Sequence, residues 1–157
     1  MMENKVFWDS VKSLLIVMNF KDETYMSSFR SALDKILNRS NVERLLILVN
    51  IPREIDKNTL SPHFVIYYLS PRDFTLFGKL KDVQLEAELN SDYNAMICFG
   101  DPKKRTMKLM RNTHIKKRIL VNAQETGYDL YLNSSNPEPE EMLTFIINTL
   151  KKVTFDD

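Results

Sequence analysis

The stretch SLLIVMNFKDETYMSSFRSALDKIL, from Ser13 to Leu37, decides the fold class. It opens with the apolar run Ser13 to Asn19, a pattern typical of a strand buried on both faces. Asp22 then offers a helix N-cap. After it, apolar residues recur along one face of a helix, at Met26, Phe29, Leu33, Ile36 and Leu37. A buried strand that leads directly into an amphipathic helix predicts the first half of a β-α-β unit.

Working outward, further short apolar runs predict five more strands. They are Arg44 to Ile51 (ended by Pro52), Phe64 to Leu69 (ended by Ser70-Pro71), Tyr93 to Phe99, Arg118 to Asn122, and Tyr128 to Leu132. Only five residues separate the last two runs, too few for a crossover helix. We therefore expect those two strands to be antiparallel neighbours or not to be paired directly.

Three further helices are expected between and after these strands. Leu80, Val83, Leu85 and Leu89 indicate a short helix. After the fourth strand, Asp101 is expected to cap a helix that has Pro102 in its first turn and runs to about Asn112. A C-terminal helix from Pro137 to Val153 has a predicted apolar stripe of Met142, Phe145, Ile146, Thr149, Leu150 and Val153. Near the other end, Trp8 is expected, with Phe7 and Val11, to anchor a helical turn or strand onto the body of the protein, the alternative being docking into another protomer.

Strands alternating with helices predict an α/β fold with a mostly parallel sheet. The expected architecture is a three-layer α/β/α sandwich with about five to six strands, Rossmann-like in the broad sense. No repeat, low-complexity tract or linker interrupts the chain of 157 residues, so we expect one domain over residues 1–157.

Composition excludes several site types. The only glycines, Gly78, Gly100 and Gly127, are too far apart for a dinucleotide fingerprint or a P-loop. One cysteine and two histidines are too few for a Cys/His zinc site or an internal disulfide. The sequence thus indicates neither a metal nor a cofactor. The apolar run Leu14 to Met18 is too short for a signal peptide and is expected to be a strand. No apolar stretch has membrane-spanning length, so we expect a cytoplasmic protein without a membrane partner.

Three segments carry a family resemblance: DFTLFGKLKD (Asp73 to Asp82), the strand Tyr93 to Phe99, and GYDLYL (Gly127 to Leu132). The C-terminal Thr149 to Val153 fits the same pattern. Together they resemble a family of small, functionally uncharacterised α/β proteins from Bacteroidetes bacteria. The resemblance matches Arg118 to a basic residue of that family, while Tyr93-Asn94 stands where the family has Phe-Asp. The strand–helix–strand order is also similar to one domain of sugar-transferring enzymes.

Charge gives the strongest functional signal. The net charge is +1, yet residues 103–118 hold eight basic residues and no acid. They are Lys103, Lys104, Arg105, Lys108, Arg111, Lys116, Lys117 and Arg118. On the predicted helix, Arg105, Lys108 and Arg111 recur three residues apart, and Lys104 lies four residues before Lys108. Together they form a basic face opposite Met107 and Met110. This pattern indicates a basic face that binds an anion, such as phosphate, nucleic acid or an acidic protein. A solvated helix face without a ligand is the alternative.

Other candidate residues follow from the topology. Ligands of doubly wound sheets bind beyond the carboxyl ends of the strands, where we expect Asn19, Asn50, Ser70, Asp101 and Asn122. No second group pairs with Asp101 for acid–base catalysis. His63 is expected at a strand edge, His114 within the basic run, and Cys98 as a small buried hydrophobic residue. Phe74 and Phe77 are expected to pack against the body of the protein, the alternative being a partner surface.

These patterns favour a non-catalytic binding or interaction module whose basic face at 103–118 meets a phosphate-containing ligand or an acidic protein. One alternative is a nucleic-acid binder that uses the same residues. A second is a transferase-like domain of nucleotide-sugar type that needs a second domain or protomer. The sequence leaves open whether the protein catalyses a reaction and what its oligomeric state is.

Overall fold

The computed structural model describes residues 6–63 and 65–155. Within them, six strands form one sheet in the order β3-β2-β1-β4-β5-β6, and every neighbouring pair is parallel. The strands are β1 (Ser13–Asn19), β2 (Arg44–Asn50), β3 (Ile66–Leu69), β4 (Asp92–Phe99), β5 (His114–Val121) and β6 (Leu130–Leu132). The predicted α/β fold with a mostly parallel sheet is confirmed.

Helices cover both faces of this sheet. They are α1 (Glu23–Leu37), α2 (Val83–Leu89), α3 (Lys104–Leu109) and α4 (Pro139–Leu150). The buried side chains of α1 and α4 join one hydrophobic cluster with one face of the central strands. The buried residues of α2, together with Met110 just after α3, join a second cluster with the opposite face. A layer of helices on each face is the predicted three-layer arrangement.

The first β-α-β unit forms for the reasons its sequence suggests. Each residue from Leu14 to Met18 is buried, because helices cover the strand on both faces. The Asp22 carboxylate accepts a hydrogen bond from the Tyr25 backbone N–H at 2.6 Å, which caps α1. Met26, Phe29 and Leu33 then point into the core. The predicted strand, cap and helix face are all confirmed.

The predicted N-terminal anchor is also confirmed. A 3₁₀ turn over Phe7–Ser10 buries Phe7 and Trp8. The Phe7 backbone N–H donates to the Val153 carbonyl at 2.8 Å, and the rings of Phe7 and Phe155 meet edge to face at 5.0 Å. The first described turn is therefore fixed against the segment that follows α4.

The expected relation between the last two strands is wrong. β5 and β6 are adjacent and parallel, with Ile119 opposite Leu130 and Val121 opposite Leu132. Because β6 has only three residues, the chain has to travel back only roughly 10 Å along β5 before β6 begins. The loop over residues 122–129 spans that distance without a crossover helix.

The expected cap of α3 is wrong as well. The helix begins at Lys104, so its N-cap position is Lys103, which makes no side-chain capping bond. Asp101 and Pro102 therefore precede the helix. The Asp101 backbone carbonyl instead accepts a hydrogen bond from the Asn19 side chain at 3.1 Å. The helical stretch does reach Asn112, but its last turn, Met110–Asn112, is a 3₁₀ helix.

The C-terminal helix is shorter than predicted and turned about its axis. It buries Met142, Ile146 and Leu150 as expected, but also Leu143 and Ile147. Phe145, which the predicted stripe included, is 48% exposed.

No helix within the described parts of the chain is long and apolar enough to cross a lipid bilayer.

Candidate anion-binding crevice

The strand order places a topological switch point between β1 and β4. From β1 the chain proceeds outward through β2 and β3, whereas β4, β5 and β6 extend the sheet on the other side. Loops that leave β1 and β4 in opposite directions open a crevice at the carboxyl edge, where open α/β sheets bind ligands. A crevice of about 590 Å³ lies there, and Asn19, Asn50 and Ser70 are part of its lining.

Side-chain amides cross the floor of this crevice in a chain of hydrogen bonds. The Thr106 hydroxyl donates to Asn50 Oδ1 at 2.6 Å. Asn50 Nδ2 donates to Asn19 Oδ1 at 3.4 Å, and Asn19 Nδ2 donates to the Asp101 carbonyl. The ends of β1 and β2 are thereby tied to the loop after β4 and to α3. Each amide nitrogen has a second N–H donor, which suits an anionic ligand.

Gly100 sets the conformation of the turn that follows β4. It has φ +82°, a left-handed conformation that favours glycine. A Cβ at this position would lie 3.6 Å from Asn19 Nδ2. That distance is an ordinary van der Waals contact, so the left-handed φ, and not a lack of space, favours glycine here.

The remaining predicted strand-end residues have other roles. The Ser70 hydroxyl accepts from the Arg72 backbone N–H at 3.2 Å, while the Ser70 N–H donates to the Asp73 carboxylate at 2.7 Å. Ser70 thus caps the 3₁₀ turn Pro71–Asp73 at the crevice wall. Asn122 lies outside the crevice, has φ 57°, and accepts a hydrogen bond from the Ser134 N–H.

Three of the predicted basic residues line the crevice: Lys103, Lys104 and Arg105. The lining contains no Asp or Glu. Among the described residues, none of the three pairs with a carboxylate. Arg105 is held in place, because its guanidinium lies 5.0 Å from the centroid of the Phe74 ring and donates to the Pro71 carbonyl at 3.4 Å. The crevice wall therefore carries positive charge that acids in its lining do not balance.

The other five predicted basic residues lie elsewhere. Lys108 lines an adjacent groove beneath the loop over residues 74–80, and Arg111 is exposed on the turn after α3. Lys116, Lys117 and Arg118 belong to β5, and Lys116 lies roughly 17 Å before its carboxyl end. The Lys117 ammonium lies 4.6 Å from the centroid of the Phe155 ring, on the face that α1 and α4 cover. The eight residues are thus distributed over several surfaces.

The predicted burial of Cys98 is confirmed. It is 1% exposed on β4, and burial raises the pKa of its thiol to about 11. Burial also raises the pKa of Tyr128, whose hydroxyl lies 3.2 Å from the Met107 sulfur. Both groups remain protonated near neutral pH, so neither supplies an anionic nucleophile to the crevice.

Neither histidine is among the residues that line the crevice. His63 Nδ1 accepts a hydrogen bond from the Val65 N–H at 3.2 Å just before β3, and burial lowers the pKa of His63. His114 begins β5, with Nδ1 3.5 Å from the Asp92 carboxylate. The described residues include no group of three or more His, Cys, Asp or Glu side chains placed to hold a metal ion.

Sequence reasoning did not identify the part that Thr106 plays in the site. Thr106 is 1% exposed and holds Asn50, but a threonine within a basic helix gives no signal of that role. Phe74 packs as predicted, at 9% exposure, and supports Arg105. Phe77, expected to pack with it, is 98% exposed.

The chain matches no known protein-family model, no curated protein and no solved structure.

Proposed function

We propose that this protein is a binding module for a phosphate-containing ligand, held in the crevice at the carboxyl edge of the sheet. One observation carries the proposal: Lys103, Lys104 and Arg105 lie in one crevice with the strand-end amides Asn19 and Asn50, and no acid lines it. Charged and amide N–H donors are the groups that bind phosphate oxygens. The volume of about 590 Å³ is within the range of small-molecule sites.

Side chains, rather than a helix dipole, supply the attraction. α3 has six residues, with Lys103 at its N-cap and Lys104 and Arg105 in its first turn, where positive charge opposes the helix dipole. A bound anion would relieve that repulsion. Arg105 is oriented in advance by the Phe74 ring, so less side-chain entropy is lost on binding.

A compact ligand is favoured over a long polyanion because of where the basic residues lie. A nucleic-acid track needs a continuous positive stripe. Lys116 and Lys117 are separated from the crevice by more than half the length of β5. Lys117 also lies on the face of the sheet that α1 and α4 cover. A small phosphate ligand needs only the three cations of the crevice.

The test is isothermal titration calorimetry with pyrophosphate as the probe. We expect binding that weakens as salt is raised, since exposed charge pairs are screened. The double variant Lys103→Gln/Arg105→Gln should raise the Kd at least tenfold, because each lost charged hydrogen bond contributes about 1.5–3 kcal/mol.

The matched control is Lys116→Gln/Arg111→Gln, which removes the same charge from surfaces outside the crevice lining. Its Kd should stay within about threefold of the wild-type value. An equal loss in both double variants would show non-specific attraction and reject the site. Short RNA or DNA that binds tightly and loses affinity equally in both variants would favour the nucleic-acid alternative instead.

A further inference from the structure

The loop between β3 and α2 presents two large apolar side chains to solvent at its tip. Leu76 is 102% exposed and Phe77 is 98% exposed. The Gly78 N–H donates to the Thr75 carbonyl at 2.9 Å, so Leu76 and Phe77 are the two central residues of a β-turn. Such positions usually hold Gly, Pro, Asn, Asp or Ser. Leu and Phe here therefore contradict the local preference.

Hydrogen bonds within the loop and a buried base support the tip. Thr75 N–H donates to the Lys79 carbonyl at 2.7 Å, and Phe74 and Leu80 form an antiparallel bridge at the base. Both base residues are buried. Gly78 takes the φ of +79° that the turn requires. The loop therefore has its own hydrogen bonds and buried base, yet leaves its two largest tip side chains uncovered.

Basic residues line a groove on one side of the loop tip. Phe77 and Lys79 line one groove together with Lys104, Arg105 and Lys108. The groove lining includes one acid, Glu86. Two other acids beside the loop are engaged locally: Asp73 pairs with Lys57, and Asp82 caps α2. Two projecting apolar side chains thus stand beside four cations.

From this arrangement we propose that the loop tip docks on the surface of an anionic lipid bilayer, with Leu76 and Phe77 entering the headgroup–acyl boundary. A bilayer accepts a protruding apolar pair without a matching pocket. Lysine is depleted at protein–protein interfaces, whereas each Lys or Arg near an anionic leaflet strengthens binding. The sequence predicted no membrane partner because it contains no membrane-spanning segment. A peripheral contact of this kind needs no such segment.

The experiment is co-sedimentation of the full chain with phosphatidylcholine vesicles that contain about one third phosphatidylserine, at low salt. We expect binding to these vesicles and at least tenfold weaker binding to pure phosphatidylcholine.

Leu76→Ser/Phe77→Ser should weaken binding to the anionic vesicles at least tenfold. Lys79→Gln/Lys108→Gln should weaken it by a similar factor, since each lost charge costs about fivefold in affinity. Both pairs lie outside the crevice lining. The matched control is Phe145→Ser, which removes an aromatic side chain that is 48% exposed on α4.

Phe77→Trp adds a direct readout. The only native tryptophan, Trp8, is 2% exposed, so a blue shift of the added emission on vesicle addition reports insertion at the tip. No binding to the anionic vesicles at millimolar lipid overturns the proposal. So does binding that survives Leu76→Ser/Phe77→Ser but is displaced by pyrophosphate, which would place headgroup capture in the crevice. Concentration-dependent dimerisation that the same variant abolishes would assign the tip to a second copy of the chain.

Discussion

At the scale of single residues, the site depends on a buried hydrogen bond between Thr106 and Asn50. Thr106 is 1% exposed and Asn50 is 9% exposed, and their side-chain oxygens are 2.6 Å apart. A buried polar group without its partner costs free energy, whereas a satisfied pair does not. The pair therefore fixes where the end of β2 lies relative to α3.

We expect Thr106→Val to lower the free energy of unfolding by about 1–3 kcal/mol, because it leaves Asn50 Oδ1 without this donor. Asn50→Leu should cost a similar amount. The double variant should cost less than the sum of the two, since it removes both polar partners. Urea unfolding of the four proteins measures the cycle. Strictly additive costs would mean that the two side chains do not depend on each other.

Cys98 gives a second prediction at this scale. The thiolate is the reactive form of cysteine, and burial raises the pKa of Cys98 to about 11. At mildly alkaline pH, we expect iodoacetamide to label the denatured protein within minutes and the native protein far more slowly. Mass spectrometry reads one site, since the chain has one cysteine. Equal labelling rates in the two states would contradict the burial of this thiol.

At the scale of elements, α4 shows what apolar spacing can and cannot predict. The sequence pattern correctly predicted a C-terminal helix with Met142, Ile146 and Leu150 inward. It placed Phe145 inward as well, yet Leu143 and Ile147 occupy the core instead. Spacing alone allows either rotation when apolar residues surround much of a helix. Packing against α1 and the sheet decides between them.

This rotation gives a prediction. Ile146→Ala should lower the free energy of unfolding by about 2–5 kcal/mol, because it leaves a cavity in the core. Phe145→Ala removes a larger side chain but should cost less than half as much, since Phe145 is 48% exposed. Chemical denaturation compares the two directly. A larger loss for Phe145→Ala would contradict the observed rotation of α4.

Connections were less predictable than strands. Runs such as Leu14 to Met18 read directly as buried strands because both of their faces are covered. The parallel pairing of β6 could not be read in this way. A three-residue strand needs only a short return, and the loop over 122–129 contains no helical pattern to signal a crossover. The predicted start of α3 was also wrong. Asp101 and Pro102 have the residue types of a helix start but belong to the turn that precedes α3.

At the scale of the whole molecule, topology made part of the site predictable. A parallel sheet brings the ends of its strands to one edge, so Asn19, Asn50 and Ser70 were expected there and do line one crevice. The basic run 103–118 was expected to form one face, but the fold distributes it between α3 and β5. A run of basic residues in the sequence does not specify which surface of the protein they share, because a helix and a strand orient neighbouring residues differently.

The contribution of Thr106 could not be predicted, because it depends on a hydrogen bond to Asn50, which is distant in sequence. The exposure of Leu76 and Phe77 has a local cause, since hydrogen bonds and a bridge within residues 74–80 shape the loop. The same aromatic type is buried at Phe74 and exposed at Phe77, only three residues apart. Only the course of the loop separates their roles.

The most direct test of the crevice is a titration of isotopically labelled protein with pyrophosphate, followed by amide NMR signals. We expect saturable shifts at the side-chain amides of Asn19 and Asn50 and at the backbone amides of residues 103–106, because these groups line the crevice. The amides of Lys116 and Lys117 should hardly move. Shifts concentrated on β5, or no shift at high pyrophosphate, would contradict an anion site at the carboxyl edge of the sheet.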